Sequence, residues 1–193
     1  MKTLLFALAC CFGVSLSTAT AQLIPSAGLH GYLSDRVDFA NVNQDVVLEG
    51  RDGWHAGLDL RVGKKALYVQ PGVHYYHTNS TVTDLREVGV PQNLGDQKHT
   101  ALKIPMQVGL RLGLNGTAAI HLQGGPVATA AIKDRLVTDL GGQRDLAFGM
   151  MSGVAVDLLR FNVHARYEWG LTQAFEAQPG GVDVVSVGVG LVF

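Results

Sequence analysis

Hydrophobic and polar residues alternate along several segments of this chain, and a period of two predicts β-strands. Apolar side chains occupy every second position in 54–62, 102–112 and 161–171, and in 146–158 at every second position except Ser152; most of the residues between them are polar or small. The last stretch, 183–193, has an unbroken apolar row on one face and mostly Ser and Gly on the other. An exposed strand of this kind would be an adhesive edge in water. We therefore expect another strand to pair with it and lipid to cover its apolar face.

The alternating segments and the turn signals between them predict eight strands. The segments are 28–34, 54–62, 67–76, 102–112, 118–132, 146–158, 161–171 and 183–193. Gly63-Lys64-Lys65, Asn115-Gly116 and Leu159-Arg160 suit tight hairpin turns, whereas 35–53, 78–100, 133–145 and 173–181 are polar loops. Long and short connections alternate, which places all long loops at one end. This predicts an all-β fold, an eight-stranded antiparallel up-and-down transmembrane β-barrel. A bulge is expected at Pro71, because proline cannot donate to a ladder.

Three features indicate that the apolar face points outward into lipid. The strands have about nine to twelve residues, as a tilted membrane strand requires. The opposite face mixes small residues with charges of both signs, which suits a narrow lumen filled by side chains. We predict a structural polar network there, formed by Asp59, Arg61, Lys103, Gln107, Arg111, His121, Asp157, His164, Arg166 and Glu168. Aromatic residues fall at the strand ends on the apolar face, as in membrane girdles: Trp54, Tyr75, Phe148 and Trp169 towards the long loops, Phe161 and Phe193 towards the turns.

The first 21 residues have the pattern of a secretory signal peptide. Lys2 precedes the apolar stretch 4–14, and Ala19-Thr20-Ala21 is a cleavage sequence. A lipoprotein signal through Cys10 or Cys11, or an uncleaved membrane helix, is the alternative. The 193 residues minus 21 leave 172, enough for one domain over 22–193. Both cysteines lie in the leader, so no disulfide framework is expected, and a net charge of −1 gives no indication of nucleic-acid binding.

Short motifs along the mature chain resemble the outer-membrane β-barrel family common in Bacteroidetes, the porin-family or PorT-like proteins. The motifs are LYVQPGVHY (67–75), LKIPMQVGLRLG (102–113), GGPVA (124–128), ARYEWGLT (165–172) and VGVGLVF (187–193). The resemblance implies that Pro105 and Pro126 are tolerated within strands. It also implies a bacterial outer-membrane location, with outer-membrane lipid and the barrel-assembly machinery as partners. Similarity to outer-membrane proteins in general further implies that Phe193 belongs to the assembly signal.

No motif in the sequence predicts catalysis. There is no G-x-S-x-G, and the alternation puts His121 and Ser152 on opposite faces. His74 and His77 flank two tyrosines and are interpreted as polar histidines at a strand end, so we expect neither a metal site nor a cofactor. An eight-stranded lumen is only just wide enough for side chains. We expect a non-enzymatic protein with a structural role, or one that binds an extracellular partner through its long loops. The alternatives are a small-solute channel, a lipid-modifying enzyme and a soluble exported ligand-binding barrel.

Overall fold

The computed structural model describes residues 20–32, 37–38, 46–64, 66–84, 92–115, 117–132, 145–172 and 183–193. Within these residues the chain forms nine strands. They are β1 (Thr20–Tyr32), β2 (Val37–Asp38), β3 (Val46–Lys64), β4 (Leu67–Asp84), β5 (Gln92–Asn115), β6 (Ala118–Ile132), β7 (Leu146–Leu158), β8 (Phe161–Gly170) and β9 (Val184–Leu191). None of the described residues belongs to a helix long and apolar enough to cross a membrane.

The strands close into a barrel. Each of β3 to β9 pairs antiparallel with its neighbours in sequence, and β1 pairs with both β9 and β3. The two-residue β2 lies outside this ring and pairs with β3. Beyond β9, Leu23 and Phe193 exchange two backbone hydrogen bonds, of 2.9 and 3.2 Å. The predicted eight-stranded antiparallel up-and-down barrel is confirmed.

The structure extends several predicted strands. β1 begins at Thr20, not at Gly28, because its backbone pairs with β3 from the Thr20–Gly63 position onwards. The pairing partner determines this strand, although its own sequence has weak β-propensity. Thr20 and Ala21 are thus strand residues, and residues 1–19 of the predicted signal peptide lie outside the described part of the chain.

The prediction that 35–53 and 78–100 are loops is wrong in part. β3 begins at Val46, β4 continues to Asp84 and β5 begins at Gln92. Their ladders continue through polar sequence, with partners such as Thr81 and Asp96. Backbone hydrogen bonds can extend a hairpin where the side chains show no apolar alternation, so the period of two did not reveal these segments. Of the predicted loop 133–145 the structure describes only Asp145, which precedes β7; residues 133–144 and 173–181 lie outside the described residues.

The predicted bulge at Pro71 is also wrong. Cα partners on either side of Pro71 keep one register against β3 and β5, as Gly72 opposite Asp59 and Val69 opposite Val62 show. A proline removes one donor without adding a residue, so the ladder is interrupted but not shifted. The register shifts in these ladders lie elsewhere, between Glu49 and Asp52 and between Val82 and Thr83.

Candidate functional site: the filled lumen

The barrel reverses the usual distribution of polarity in a folded protein. Large apolar side chains cover its outside, with Leu58, Ile104, Val154 and Val189 each 47–60% exposed. The buried side chains are mostly polar or charged and face the lumen. This arrangement follows from alternation in a closed sheet, where every second side chain points inward.

Ion pairs cross the lumen at three levels between the long-loop end and the tight-turn end. Among the described residues, the ion pair nearest the loops joins Lys103 Nζ and Glu168 Oε2, which are 2.5 Å apart. Arg166 Nη2 donates to Asp59 Oδ2 over 2.8 Å at the middle level. Arg61 Nη1 donates to Asp157 Oδ2 over 2.6 Å at the level nearest the turns.

Further polar contacts hold the carboxylates of Asp59, at the middle level, and Asp157, at the level nearest the turns. His74 Nε2 lies 2.9 Å from Asp59 Oδ1, so this carboxylate contacts a different partner at each oxygen. Asp157 accepts a hydrogen bond from Asn162 Nδ2 over 2.6 Å and lies 2.8 Å from His121 Nε2. A carboxylate removed from water needs such partners to offset its lost hydration.

Aromatic rings fill the lumen beside the ion pair nearest the loops and beside the ion pair nearest the turns. The ring of Tyr76 stacks on that of His55 at a centroid distance of 4.8 Å and lies 4.7 Å from that of His30. Lys103 Nζ lies 4.6 Å from the centroid of the Tyr76 ring. Nearer the turns, Arg61 Cζ lies 5.0 Å from the ring centroid of Tyr68. The cross-section is therefore occupied by side chains at both ends of the ion-pair stack.

Glycines on neighbouring strands make room for the largest of these side chains. Tyr68 is the Cα partner of Gly109, and a Cβ atom built on Gly109 would lie 2.0 Å from the Tyr68 ring. Gly188, which is opposite His164, would place a Cβ atom 2.7 Å from its imidazole. The glycines of the inner face thus fit the lumen contents specifically, in addition to keeping a narrow barrel uncrowded.

The structure places nine of the ten predicted network residues inside the barrel. Besides the ion-paired residues and His121, Gln107 is fully buried and donates to Met151 Sδ over 3.1 Å, and His164 Nδ1 lies 3.2 Å from Asn162 Oδ1. Arg111 differs, because it is exposed at the turn end of the lumen and has no acidic partner among the described residues.

Several buried lumen residues were not part of the predicted polar network. His30, His55 and His74 are at most 4% exposed, as are Gln70 and Tyr76. All of them except His30 lie at the alternate strand positions that were predicted to face the lumen, so alternation alone could have identified them. His30 lies in β1, whose pattern was weakest. The interpretation of His74 as a strand-end residue is wrong, because β4 continues beyond it to Asp84.

The described residues contain no group of three or more His, Cys, Asp or Glu side chains that could hold a metal ion. His121 lies in the lumen, whereas Ser152 follows the buried Met151 and has outer-face parity. The lumen therefore has charge pairs and rings, but the described side chains do not assemble a serine–histidine pair from these two residues.

The six aromatic residues predicted to form girdles all lie on the outer surface. Their exposed fractions range from 38% for Tyr75 to 66% for Phe193. At the loop end, the Trp54 and Tyr75 rings contact each other across β3 and β4 at a centroid distance of 5.6 Å. Such amphipathic rings suit the boundary between hydrocarbon and water.

Comparison with known proteins identifies the fold but no family. No protein-family model and no curated protein matches the chain. Among solved structures, the outer membrane protein OprG from Pseudomonas aeruginosa matches with a TM-score of 0.58 and 11% identity, over 90% of this chain and 96% of that one. Ail, the attachment invasion locus protein of Yersinia pestis, has a TM-score of 0.44 and 13% identity, over 90% and 99% of the two chains. LpxR from Salmonella typhimurium has a TM-score of 0.36 and 10% identity, over 90% and 100%. The similarity to OprG establishes the class: the chain has the fold of an outer-membrane β-barrel.

Proposed function

We propose that this protein is a non-catalytic, non-conducting barrel of the bacterial outer membrane that displays a surface for binding a partner outside the cell. The main support is the occupied lumen, in which three crossing ion pairs and their stacked rings leave little room for a solute. The outward apolar residues support a lipid environment and are the reverse of what a soluble ligand-binding barrel needs. The motifs in 67–75 and 102–113 still favour the Bacteroidetes porin-family type, which we include in the proposal.

The binding surface we propose is the projecting sheet, defined as residues 46–52 of β3, 79–84 of β4 and 92–98 of β5. The outer face of β4 changes from apolar to polar after Tyr75, since Asn79 is exposed. The ladders nevertheless continue to Val46–Asp84 and to Asp84–Gln92. At about 3.4 Å per residue, the last six residues of β4 add roughly 20 Å. A structure that only spanned the membrane would not need this extension.

Solute flux tests the proposal that the lumen does not conduct. Purified barrel is reconstituted into planar bilayers and into dextran-filled liposomes, which are diluted into an isotonic solution of a small sugar. We expect no stable unitary conductance and no swelling above that of protein-free liposomes. A general porin of larger diameter serves as the positive control. Reproducible single-channel steps from folded protein would contradict the closed lumen.

A shortened hairpin tests the binding surface. Asn79 and Lys98 are Cα partners, so an Asn-Gly turn can replace 80–97 and close the hairpin between them. We expect the variant to keep the heat-modifiable gel migration of a folded barrel and to lose adherence of expressing cells to epithelial monolayers. Cells expressing the Val154→Ala barrel, changed on the lipid-facing side, serve as the matched control. If adherence survives the replacement, this surface is not the binding site. If wild-type cells adhere no more than cells without the protein, the protein does not bind an epithelial surface.

A further inference from the structure

A cavity of about 320 Å³ opens at the turn end of the barrel, opposite the projecting sheet. Its polar lining comes from Gln22 of β1, Arg111 of β5, Asp157 of β7, and the turn residues Thr117 and Arg160. Gln22 and Arg111 also border a second, smaller cavity that reaches Arg61 and Tyr68. Arg111 therefore lies between two openings and is positioned to contact a molecule in either.

Among the described residues, the charge balance of this end is positive. Inside the lumen, Arg61 is matched by Asp157, which also receives Asn162 and contacts His121. Its acceptor oxygens are thus already engaged. Arg111 and Arg160 have no acidic partner among the described residues, so the cavity has two uncompensated guanidinium groups. A concave polar site with surplus positive charge concentrates anions.

We propose that this turn-end cavity binds a small soluble organic anion through a carboxylate or phosphate group. Guanidinium groups form paired, charge-assisted hydrogen bonds with such groups and suit them better than point charges do. The Thr117 hydroxyl and the Gln22 amide supply neutral hydrogen-bonding groups beside the two arginines. The site goes beyond the proposed surface role and is independent of it, because it lies at the other end of a filled barrel.

Calorimetry on the refolded barrel in uncharged detergent tests the site, with inorganic phosphate and succinate as probes and sodium chloride at matched ionic strength as reference. Saturable binding of at least one probe is expected. Arg111→Gln or Arg160→Gln should raise its Kd about tenfold or more, the scale of a lost charge-assisted contact. Lys64→Gln is the matched control, because Lys64 is an exposed cation at the same end and does not line the cavity. Its Kd should remain within twofold of wild type.

Several outcomes would overturn the proposal. One is the absence of saturable binding heat with both probes. Another is a loss of affinity in Lys64→Gln equal to that in the arginine variants, and a third is an unchanged Kd in both arginine variants. Arg160 lies in a turn, so Arg160→Gln provides a test even if Arg111→Gln fails to fold. Nanodiscs of phosphatidylcholine and phosphatidylglycerol distinguish a free anion from a lipid headgroup. An unchanged Kd in both is expected, whereas competition by phosphatidylglycerol would assign the site to lipid. A conducting lumen or unchanged adherence would refute only the proposed function.

Discussion

Replacing Asp59 with asparagine removes the negative charge at the middle level of the lumen and leaves Arg166 without an anion. Both side chains are at most 2% exposed and their charged atoms are 2.8 Å apart. Loss of one partner from a buried pair costs about 3–5 kcal/mol, mainly because the remaining charge is desolvated and uncompensated. We expect Asp59→Asn to destabilise the barrel by that amount, with little change in size or shape at the site.

A double-mutant cycle separates the ion pair from the packing around it. In Asp59→Asn with Arg166→Met both charges are absent, so most of the lost stability should return, since paired replacement of buried charges is often near neutral. Denaturant unfolding in lipid vesicles, followed by tryptophan fluorescence, measures the four free energies. A cost below about 1 kcal/mol for Asp59→Asn, or no recovery in the double variant, would refute the reasoning.

Three further predictions concern packing, lipid and assembly. Gly109→Ala should cost about 1–3 kcal/mol of unfolding free energy, because the added methyl group would overlap the Tyr68 ring. Gly113→Ala should be near neutral, because the space around its Cβ position is open. The same unfolding assay checks both variants. Val154→Lys, in mid-strand on the lipid face, should cost about 2–4 kcal/mol, and Leu158→Lys at the turn end about 0–1 kcal/mol; equal costs would contradict a bilayer around this face. Deletion of Phe193 removes both hydrogen bonds to β1 and should slow insertion in a folding time course, and normal insertion would show that its role is overestimated.

The ion pairs also explain how a lumen whose buried side chains are mostly polar or charged avoids leaving charges uncompensated. Lys103, Arg61 and Arg166 each have a carboxylate partner on a distant strand, so the charges are offset locally across the lumen. These contacts connect β3 and β5 with β7 and β8, across the barrel from one another. The same contacts therefore fill the lumen and hold its walls together.

The amino-acid sequence by itself determined the eight barrel strands, their inward and outward faces, and the Leu159-Arg160 turn. These properties depend on residues one or two positions apart, such as the alternation in 161–171. Gly63, Lys64 and Asn115, which were predicted in the other two turns, are paired strand residues. Both signs of charge on one face also indicated that charges would pair. Local pattern was insufficient for β1, and for the polar ends of β3, β4 and β5, because backbone pairing with neighbouring strands extends them.

Only the tertiary structure decided which charges meet. Arg166 and Asp59 are 107 residues apart, and their contact depends on strand register and barrel closure together. The same is true of each glycine that faces a large ring, as Gly109 faces Tyr68. Arg111 shows the converse. It lies at an inward-facing position of the β5 alternation, but it is so close to the turn end of that strand that it sits at the open end of the lumen. Alternation specifies the face of a strand, whereas position along the barrel axis comes from the stagger of all eight barrel strands.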